Sequence, residues 1–371
     1  MISLQDRTYM TRAIQLAREG LYSTDPNPRV GCVLVKDNQI IGEGFHIRAG
    51  EGHAEVNALA DAAQKDNDPK GATAYVTLEP CSHYGRTPPC SEGLVKAGVS
   101  RVVCAMEDPN PQVAGKGFAI LRKAGIEVDV GIQPEEAWDL NPGFYKRMQT
   151  GMPLVRIKLA MSVDGRTAMA SGESQWITGP AARCDVQKLR ARSSAVVTGI
   201  ESILKDDSSL TVRAGELGLD EASTKLALEK QPLRVVLDSR GRMPSEAKIL
   251  SQPGQTLVAT GVDTEVTLPE EQVLRLAKQD GKLDLKALLS ALSDKQCNEV
   301  LVETGATLAG EFVQQGLVDE LVVYMAPCLM GSDARPLLAM PMTTMAEKKE
   351  LLLKDVRQIG SDIRLTYGFA N

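Results

Sequence analysis

No apolar run in the 371 residues approaches the ~20 needed to cross a bilayer as a helix, so no transmembrane segment is expected. The opening stretch, MISLQDRTYMTRAIQLAREG, is amphipathic and polar and lacks the apolar centre of an export signal. A cytoplasmic, reducing compartment is the expectation. The seven cysteines (Cys32, Cys81, Cys90, Cys104, Cys184, Cys297 and Cys328) are odd in number and scattered, which argues against a disulfide framework. They are left to core packing or metal ligation, and Cys32 and Cys104, in apolar strands, read as core. A net charge of −6 offers no composition-wide attraction to a phosphate backbone, so a small-molecule substrate is expected, with no nucleic acid and no membrane as partner. No strand is followed by Gly-x-Gly-x-x-Gly. Gly42-Glu-Gly44 and Gly115-Lys-Gly117 both lack the third glycine, which weakens a Rossmann reading.

What is present suits an ordinary globular chain, 43% hydrophobic and 24% charged, long enough for two domains. Residues 4–18 carry apolar positions at helical spacing and stop at Gly20. Val30–Val35 and Ile40–Phe45 flank Lys-Asp-Asn-Gln as a hairpin, and a helix is predicted over 54–63. Strands at 72–78, 101–106 and 126–130 then alternate with helices at 91–97 and 116–124. Around Asn141–Pro153 the text turns to Asn-Pro-Gly and Thr-Gly-Met-Pro, which puts a domain boundary near 150, with domains at 1–149 and 150–371. In the second, strands are predicted at 154–159, 195–198, 233–238, 256–259, 299–302 and 320–325, with helices at 181–191, 285–293 and 308–315. Residues 214–231 read as a surface loop or short helix. Alternation of this kind makes both domains α/β.

Only three histidines occur, His46, His53 and His83, all in the first quarter of the chain. His53-Ala-Glu55 opens the predicted helix at 54–63, Pro80-Cys81 follows the strand at 72–78, and Cys90 begins another helix. One imidazole and two thiolates make a zinc set that lacks a fourth protein ligand. A catalytic site keeps that position for water, whereas a structural site closes it. Glu55 is the candidate base, able to take a proton from water and pass it to a ring nitrogen and to departing ammonia. Residues two apart do not share a helix face, so spacing alone does not bring His53 and Glu55 together, although a helix end could hold both. A structural zinc site, and plain packing roles for these residues, stay open at this point.

The His-x-Glu element with a downstream Pro-Cys is that of zinc nucleobase deaminases. The second cysteine departs from their Cys-x-x-Cys, with eight residues between the thiols. In that longer form, Glu79-Pro-Cys-Ser-His-Tyr-Gly-Arg-Thr-Pro-Pro-Cys90, with Asn27-Pro-Arg-Val-Gly31 and Asp108-Pro-Asn-Pro111, the sequence resembles the deaminase half of the bifunctional riboflavin-pathway enzymes. The resemblance implies a cytidine-deaminase-like α/β/α domain and one Zn2+ per chain on His53, Cys81 and Cys90, with Glu55 as the catalytic residue. It further implies that Asn27, His46, Arg86, Asp108 and Asn110 contact 2,5-diamino-6-ribosylamino-4(3H)-pyrimidinone 5′-phosphate. Asn and Asp suit the edge of a heterocycle, and Arg suits a phosphate.

In the second half, strand 299–302 runs into Glu303-Thr-Gly-Ala-Thr-Leu-Ala-Gly310. A glycine turn at a helix start could offer N–H groups to a phosphate, or could be no more than a tight turn. Lys158-Leu-Ala-Met-Ser-Val-Asp-Gly-Arg166, Ser171-Gly-Glu-Ser-Gln-Trp-Ile-Thr178, Asp206-Asp207 with Leu210-Thr-Val-Arg213, and Asp238-Ser239 resemble the reductase half of the same family. That similarity implies a dihydrofolate-reductase-like α/β domain using NADPH. By position Ala160, Trp176, Ser202, Asp206, Ser239 and the turn Gly305, Ala306, Thr307, Leu308, Ala309, Gly310 and Glu311 match the family's cofactor contacts. Lys158, Ser174, Arg190, Leu210, Arg213 and Glu303 match its substrate contacts. Ser208 departs from the proline common after the paired aspartates. The family implies a homo-oligomer, dimer or tetramer. A nucleic-acid deaminase or a non-enzymatic zinc-stabilised protein would explain only one half.

Overall fold

A computed structural model describes residues 2–84, 88–111 and 113–369, and divides the chain into two compact units, Met1–Met152 and Pro153–Asn371. Unit 1 begins with α1 (Leu4–Glu19), whose Ser3 and Asp6 form a reciprocal capping box. A hairpin of β1 (Gly31–Lys36) and β2 (Gln39–Phe45) leads to α2 (Ala54–Gln64), β3 (Thr73–Val76), α3 (Cys90–Ala97) and β4 (Arg101–Cys104). Helix α4 (Lys116–Lys123), β5 (Glu127–Val130), α5 (Pro134–Trp138) and α6 (Pro142–Thr150) complete the unit. The sheet order is β2-β1-β3-β4-β5, antiparallel at β1 and parallel from β3 to β5. Two apolar clusters pack around it: one includes Ala58, Ala62 and Leu94, the other Met10, Ile14 and Val33.

The incomplete glycine motif at Gly42 and Gly44 has a packing cause. A Cβ on Gly42 would lie 2.4 Å from Ala58 O, and one on Gly44 would lie 2.4 Å from Ala58 N, so these glycines let α2 rest on the backbone of β2. That close seat fixes where the first turn of α2, with His53 and Glu55, is held.

Unit 2 opens with β6 (Leu154–Ser162), β7 (Arg166–Ala168), α7 (Pro180–Arg192), β8 (Ala195–Gly199) and α8 (Ile200–Asp206). The segment 214–231 contains two short helices, α9 (Ala214–Leu217) and α10 (Glu221–Leu228). They are followed by β9 (Leu233–Leu237), α11 (Lys248–Ser251), β10 (Thr256–Gly261), β11 (Val273–Leu276), β12 (Lys278–Gln279) and β13 (Lys282–Leu283). The chain continues through α12 (Leu285–Asp294), β14 (Glu299–Glu303), α13 (Ala306–Gln314), β15 (Glu320–Ala326) and β16 (Arg335–Pro336), and ends in a hairpin of β17 (Leu351–Ile359) and β18 (Asp362–Phe369). The main sheet runs β11-β10-β9-β8-β14-β6-β15-β18-β17, parallel through β15 and antiparallel at the last two strands. A separate core under this sheet includes Val196, Leu301, Val322 and Tyr324.

Two departures from the sequence reading stand out. The sequence reading holds no hairpin at β17–β18, because seven of the nine residues of β17 are exposed at the sheet edge and show no alternation. The turn read over 305–311 is shorter than expected: Gly305 is the N-cap of α13, which starts at Ala306, two residues before the helix predicted at 308–315, and Gly310 lies inside the helix. A Cβ there would sit 2.5 Å from Ala339 O, so Gly310 serves close packing of the helix on the chain beyond it.

Candidate functional site

The first site gathers at two helix starts. His53 is the N-cap residue of α2 and Glu55 lies in its first turn, while Cys90 is the first residue of α3. Cys81 follows β3 in the connection toward α3 and accepts a hydrogen bond at Sγ from the Cys90 N–H (3.3 Å). The Ser91 hydroxyl and N–H both donate to Cys81 O, at 3.0 and 3.2 Å, which pins that connection to the helix. His53 Nδ1 stands 3.3 Å from Cys90 Sγ and 3.6 Å from Cys81 Sγ. Among the described residues these three make the one group of donor atoms all within 4.8 Å of one another. A tetrahedral zinc, with Zn–S near ~2.3 Å and Zn–N near ~2.0 Å, sets neighbouring N and S ligands about 3.5 Å apart. The residues present therefore fit that ion in donor type and spacing.

Electrostatics agree with a thiolate at Cys81 that accepts a hydrogen bond from the Cys90 thiol. A hydrogen bond from Cys90 holds the Cys81 thiol down, and the same bond pushes Cys90 up. The positive ends of α2 and α3 favour negative charge at their first residues. Glu55 is buried, at 4% exposure, and burial followed by the nearby charge of Cys81 pushes its carboxyl up to about 7. Glu55 acts on Cys90 as well as on Cys81, so the helix end does hold both His53 and Glu55 near the thiols, as the spacing allowed but did not require.

Beside this cluster the His46 ring meets His53 edge-on, with centroids 5.2 Å apart. The Asn27 amide donates to His46 Nε2 (3.0 Å), which leaves Nδ1 to donate to Gly52 O (3.1 Å) and so assigns a neutral ring. Burial lowers the His46 pKa in the same direction. Asp108 is buried, its carboxylate accepts the Asn110 N–H (2.8 Å), and burial pushes it up to about 6. Arg86 lies outside the described residues. His83 is exposed, and its charge acts on Asp108.

The second site is a cleft of about 600 Å³ at the carboxyl ends of the parallel strands of unit 2, where open α/β sheets bind ligands. Of the residues expected there, Lys158, Ala160, Ser174, Ser202, Asp206, Leu210, Ser239, Glu303, Gly305, Ala306, Thr307, Leu308 and Glu311 line it. Trp176 does not; it is 70% exposed, with the Arg183 guanidinium 4.7 Å from its ring centre. Ala309 and Gly310 are buried within α13. Arg190 reaches the cleft through Glu303, which it clamps with two hydrogen bonds of 2.5 and 3.0 Å. Arg213 pairs with Glu216 (2.7 Å); it is not among the residues lining the cleft, but its charge helps to hold Glu303 low. Burial would raise the Glu303 carboxyl, but Arg190 outweighs it and holds Glu303 low. Lys158, beside Glu303 in register across β6 and β14, is lowered by burial.

Sequence reasoning missed Lys205, Lys282 and Arg335, which add three cations to the cleft lining. Their only signal was charge in otherwise unassigned segments. Lys282 bonds Glu311 (2.5 Å), which links the two sides of the cleft.

The description "Cytidine and deoxycytidylate deaminase zinc-binding region" matches residues 3–106, and "RibD C-terminal domain" matches residues 153–365. Riboflavin biosynthesis protein RibD of Escherichia coli K12 is 52% identical over 367 residues, covering 98% of this chain and 99% of that protein. A solved structure of Acinetobacter baumannii RibD superposes with a TM-score of 0.89 at 52% identity, covering 99% of both chains. The Thermotoga maritima diaminohydroxyphosphoribosylaminopyrimidine deaminase/5-amino-6-(5-phosphoribosylamino)uracil reductase superposes at 0.86, with 32% identity and 99% of both chains covered.

Proposed function

The chain belongs to the RibD family, bifunctional enzymes of riboflavin biosynthesis that join a zinc-dependent deaminase to a reductase, and from that premise we propose which residues carry each step. The first substrate is 2,5-diamino-6-ribosylamino-4(3H)-pyrimidinone 5′-phosphate, deaminated by water at a ring amino group. His53, Cys81 and Cys90 would hold one zinc ion, which when bound lowers the pKa of water to about 7 and so supplies hydroxide. Glu55 accepts one proton of the attacking water and passes it to the ring nitrogen, then carries the remaining proton of the new hydroxyl to the amino group, which leaves as ammonia. One C–N bond breaks, one C=O forms, and one water is consumed. Asn27, His46, Asp108 and Asn110 orient the heterocycle by its polar edge, and Arg86 takes the phosphate.

In the second unit the ribosyl group of 5-amino-6-(5-phosphoribosylamino)uracil becomes ribityl. NADPH, when bound, supplies the hydride for C1′ of the ring-opened imine. Gly305, Ala306, Thr307 and Leu308 at the start of α13 present backbone N–H groups to a cofactor phosphate. Ala160, Ser202, Asp206, Ser239 and Glu311 complete the cofactor contacts. Lys158, Ser174, Leu210 and Glu303 face the substrate, Arg190 orients Glu303, and Arg213 serves the sugar phosphate. The cleft's task is orientation and exclusion of water.

The observation that carries the deaminase reading is the spacing of His53 Nδ1 from two thiols, 3.3 and 3.6 Å, with Glu55 buried in the helix turn that His53 caps. The test is NADPH oxidation with the diaminopyrimidine or with its deaminated form. Both substrates are expected to support oxidation in the parent chain. Glu55→Gln is expected to keep one zinc per chain and to lose only the first substrate, by at least the ~10²–10⁴-fold typical of general acid–base groups. Undiminished turnover of the first substrate would remove Glu55 from the mechanism.

We propose further that the enzyme works in the cytoplasm as a homo-oligomer. Supporting a second copy as partner, edge strand β17 leaves Leu352, Leu353 and Val356 more than half exposed, a strand edge that calls for cover. Sedimentation equilibrium of the purified chain decides between monomer and oligomer.

A further inference from the structure

Glu79 has no part in the chemistry above, yet it is 4% exposed and its carboxylate accepts four backbone N–H groups. Gly117 (2.9 Å) and Phe118 (3.4 Å) donate to one oxygen, and Gly115 (2.9 Å) and Asp108 (3.2 Å) donate to the other. All four donors belong to the segment that leaves β4, carries Asp108 and Asn110, and enters α4. The acceptor belongs to Glu79-Pro80-Cys81. A single side chain thus joins the loop that bears a zinc ligand to the loop proposed to read the pyrimidine.

Helix α4 has no cap of its own. Its N-cap residue is Gly115, at φ +73°, which has no side chain to offer. Glu79 supplies the missing acceptor from another segment, and its charge lies at the positive end of the helix. The approach is close on the other side as well: a Cβ on Gly117 would lie 2.0 Å from Pro80 O, which excludes any residue but glycine. The Glu79 N–H in turn donates to Met106 O (3.1 Å). Main chain and side chain of one residue therefore hold both ends of the 106–118 segment.

We propose that Glu79 is a positioning residue of the deaminase site, whose carboxylate sets Asp108 and Asn110 at the distance from Cys81 that the pyrimidine ring requires. It touches neither substrate nor metal and acts through the loop it holds. The inference rests on the assignment of Asp108 and Asn110 to the substrate.

The experiment compares Glu79→Gln, Asn110→Ala and the double variant in the full-length, zinc-loaded chain, following ammonia release. Gln keeps the shape but turns an amide N–H toward backbone N–H donors, so the bonds to one of the two oxygens are lost. The expected result for Glu79→Gln is a KM at least tenfold higher, with one zinc per chain and unchanged reduction of the deaminated substrate in the same preparation. In the double variant the loss should be close to that of the worse single variant, because both act through one loop. Unchanged KM, or effects of the two changes that multiply, overturns the role of Glu79. Should Glu79→Gln lose zinc, Glu79→Asp repeats the test with the charge kept and the oxygens withdrawn; zinc loss in both makes Glu79 a support of the metal loop alone. If Asn110→Ala leaves KM unaltered, the substrate assignment itself falls and takes the positioning role with it. A raised KM for Asn110→Ala with multiplying effects sinks the positioning role only.

Discussion

Asp6 illustrates how one carboxylate can serve several elements. It closes the capping box of α1, accepts the Tyr75 hydroxyl of β3 (2.8 Å), and accepts Arg101 of β4 at 2.8 and 3.3 Å. Burial alone would raise its pKa; the Arg101 bond, then those from Ser3 and Tyr75, outweigh that and hold it well below the usual 3.8. A carboxyl depressed in the folded state contributes stability that is fully present above 3.8 and is lost as pH falls through the lower folded value. Asp6→Asn is therefore expected to cost about 2 kcal/mol at pH 7, and less as the pH falls below 3.8. Urea transitions at pH 7 and pH 3, read by Trp138 in a Trp176→Phe background, check this. An equal cost at both pH values would mean that the charge of Asp6 is irrelevant. The zinc and proton-transfer residues were legible at this scale because their types are scarce: with three histidines in the chain, a His-x-Glu stands out. Glu79 was not legible, since its significance lies in four backbone donors that no spacing announces.

At the scale of elements, the centre of the second sheet is held by buried charge as well as by apolar packing. Arg156 on β6 bonds Glu320 on β15 at 2.7 and 2.8 Å and Glu299 on β14 at 3.1 Å, spanning three adjacent strands. Glu320 and Arg156 are direct cross-strand partners, so the bridge also marks the register. Arg156→Ala would strand two carboxylates, of which Glu299 retains Arg192 (3.2 Å) and Glu320 retains Lys354 (3.3 Å). The expected loss is about 3–5 kcal/mol. Adding Glu299→Gln and Glu320→Gln should recover part of it in denaturant titrations, and a further drop instead would show that the carboxylates are not the source of the penalty. Strands and helices with apolar periodicity were predictable within a few residues, as at 154–159 and 285–293. The β17–β18 hairpin was not, because Lys354, Asp355, Arg357 and Gln358 interrupt any alternation and the strand lies at the edge, where burial leaves no pattern to read. The helix predicted at 308–315 begins two residues earlier than its pattern suggests, and the role of Gly310 within it, to let the helix touch backbone, depends on a distant segment that no spacing announces.

For the whole molecule, the question is whether the two activities depend on each other. Each unit has a sheet and apolar core of its own, with Met10, Ile14 and Val33 in one and Val196, Leu301 and Tyr324 in the other. Among the described residues, those lining the cleft run from Lys158 to Arg335, all in unit 2, and the three metal-spaced donors run from His53 to Cys90, all in unit 1. Units of about 150 and 220 residues are large enough to bury a stable core. A fragment comprising residues 150–371 is therefore expected to fold and to oxidise NADPH with the deaminated substrate at a kcat within a few-fold of the full chain, and to be inert toward the diaminopyrimidine. Circular dichroism establishes folding, and stopped assays with each substrate read the activity. A folded fragment that fails to reduce the deaminated substrate would mean that reduction depends on the deaminase half.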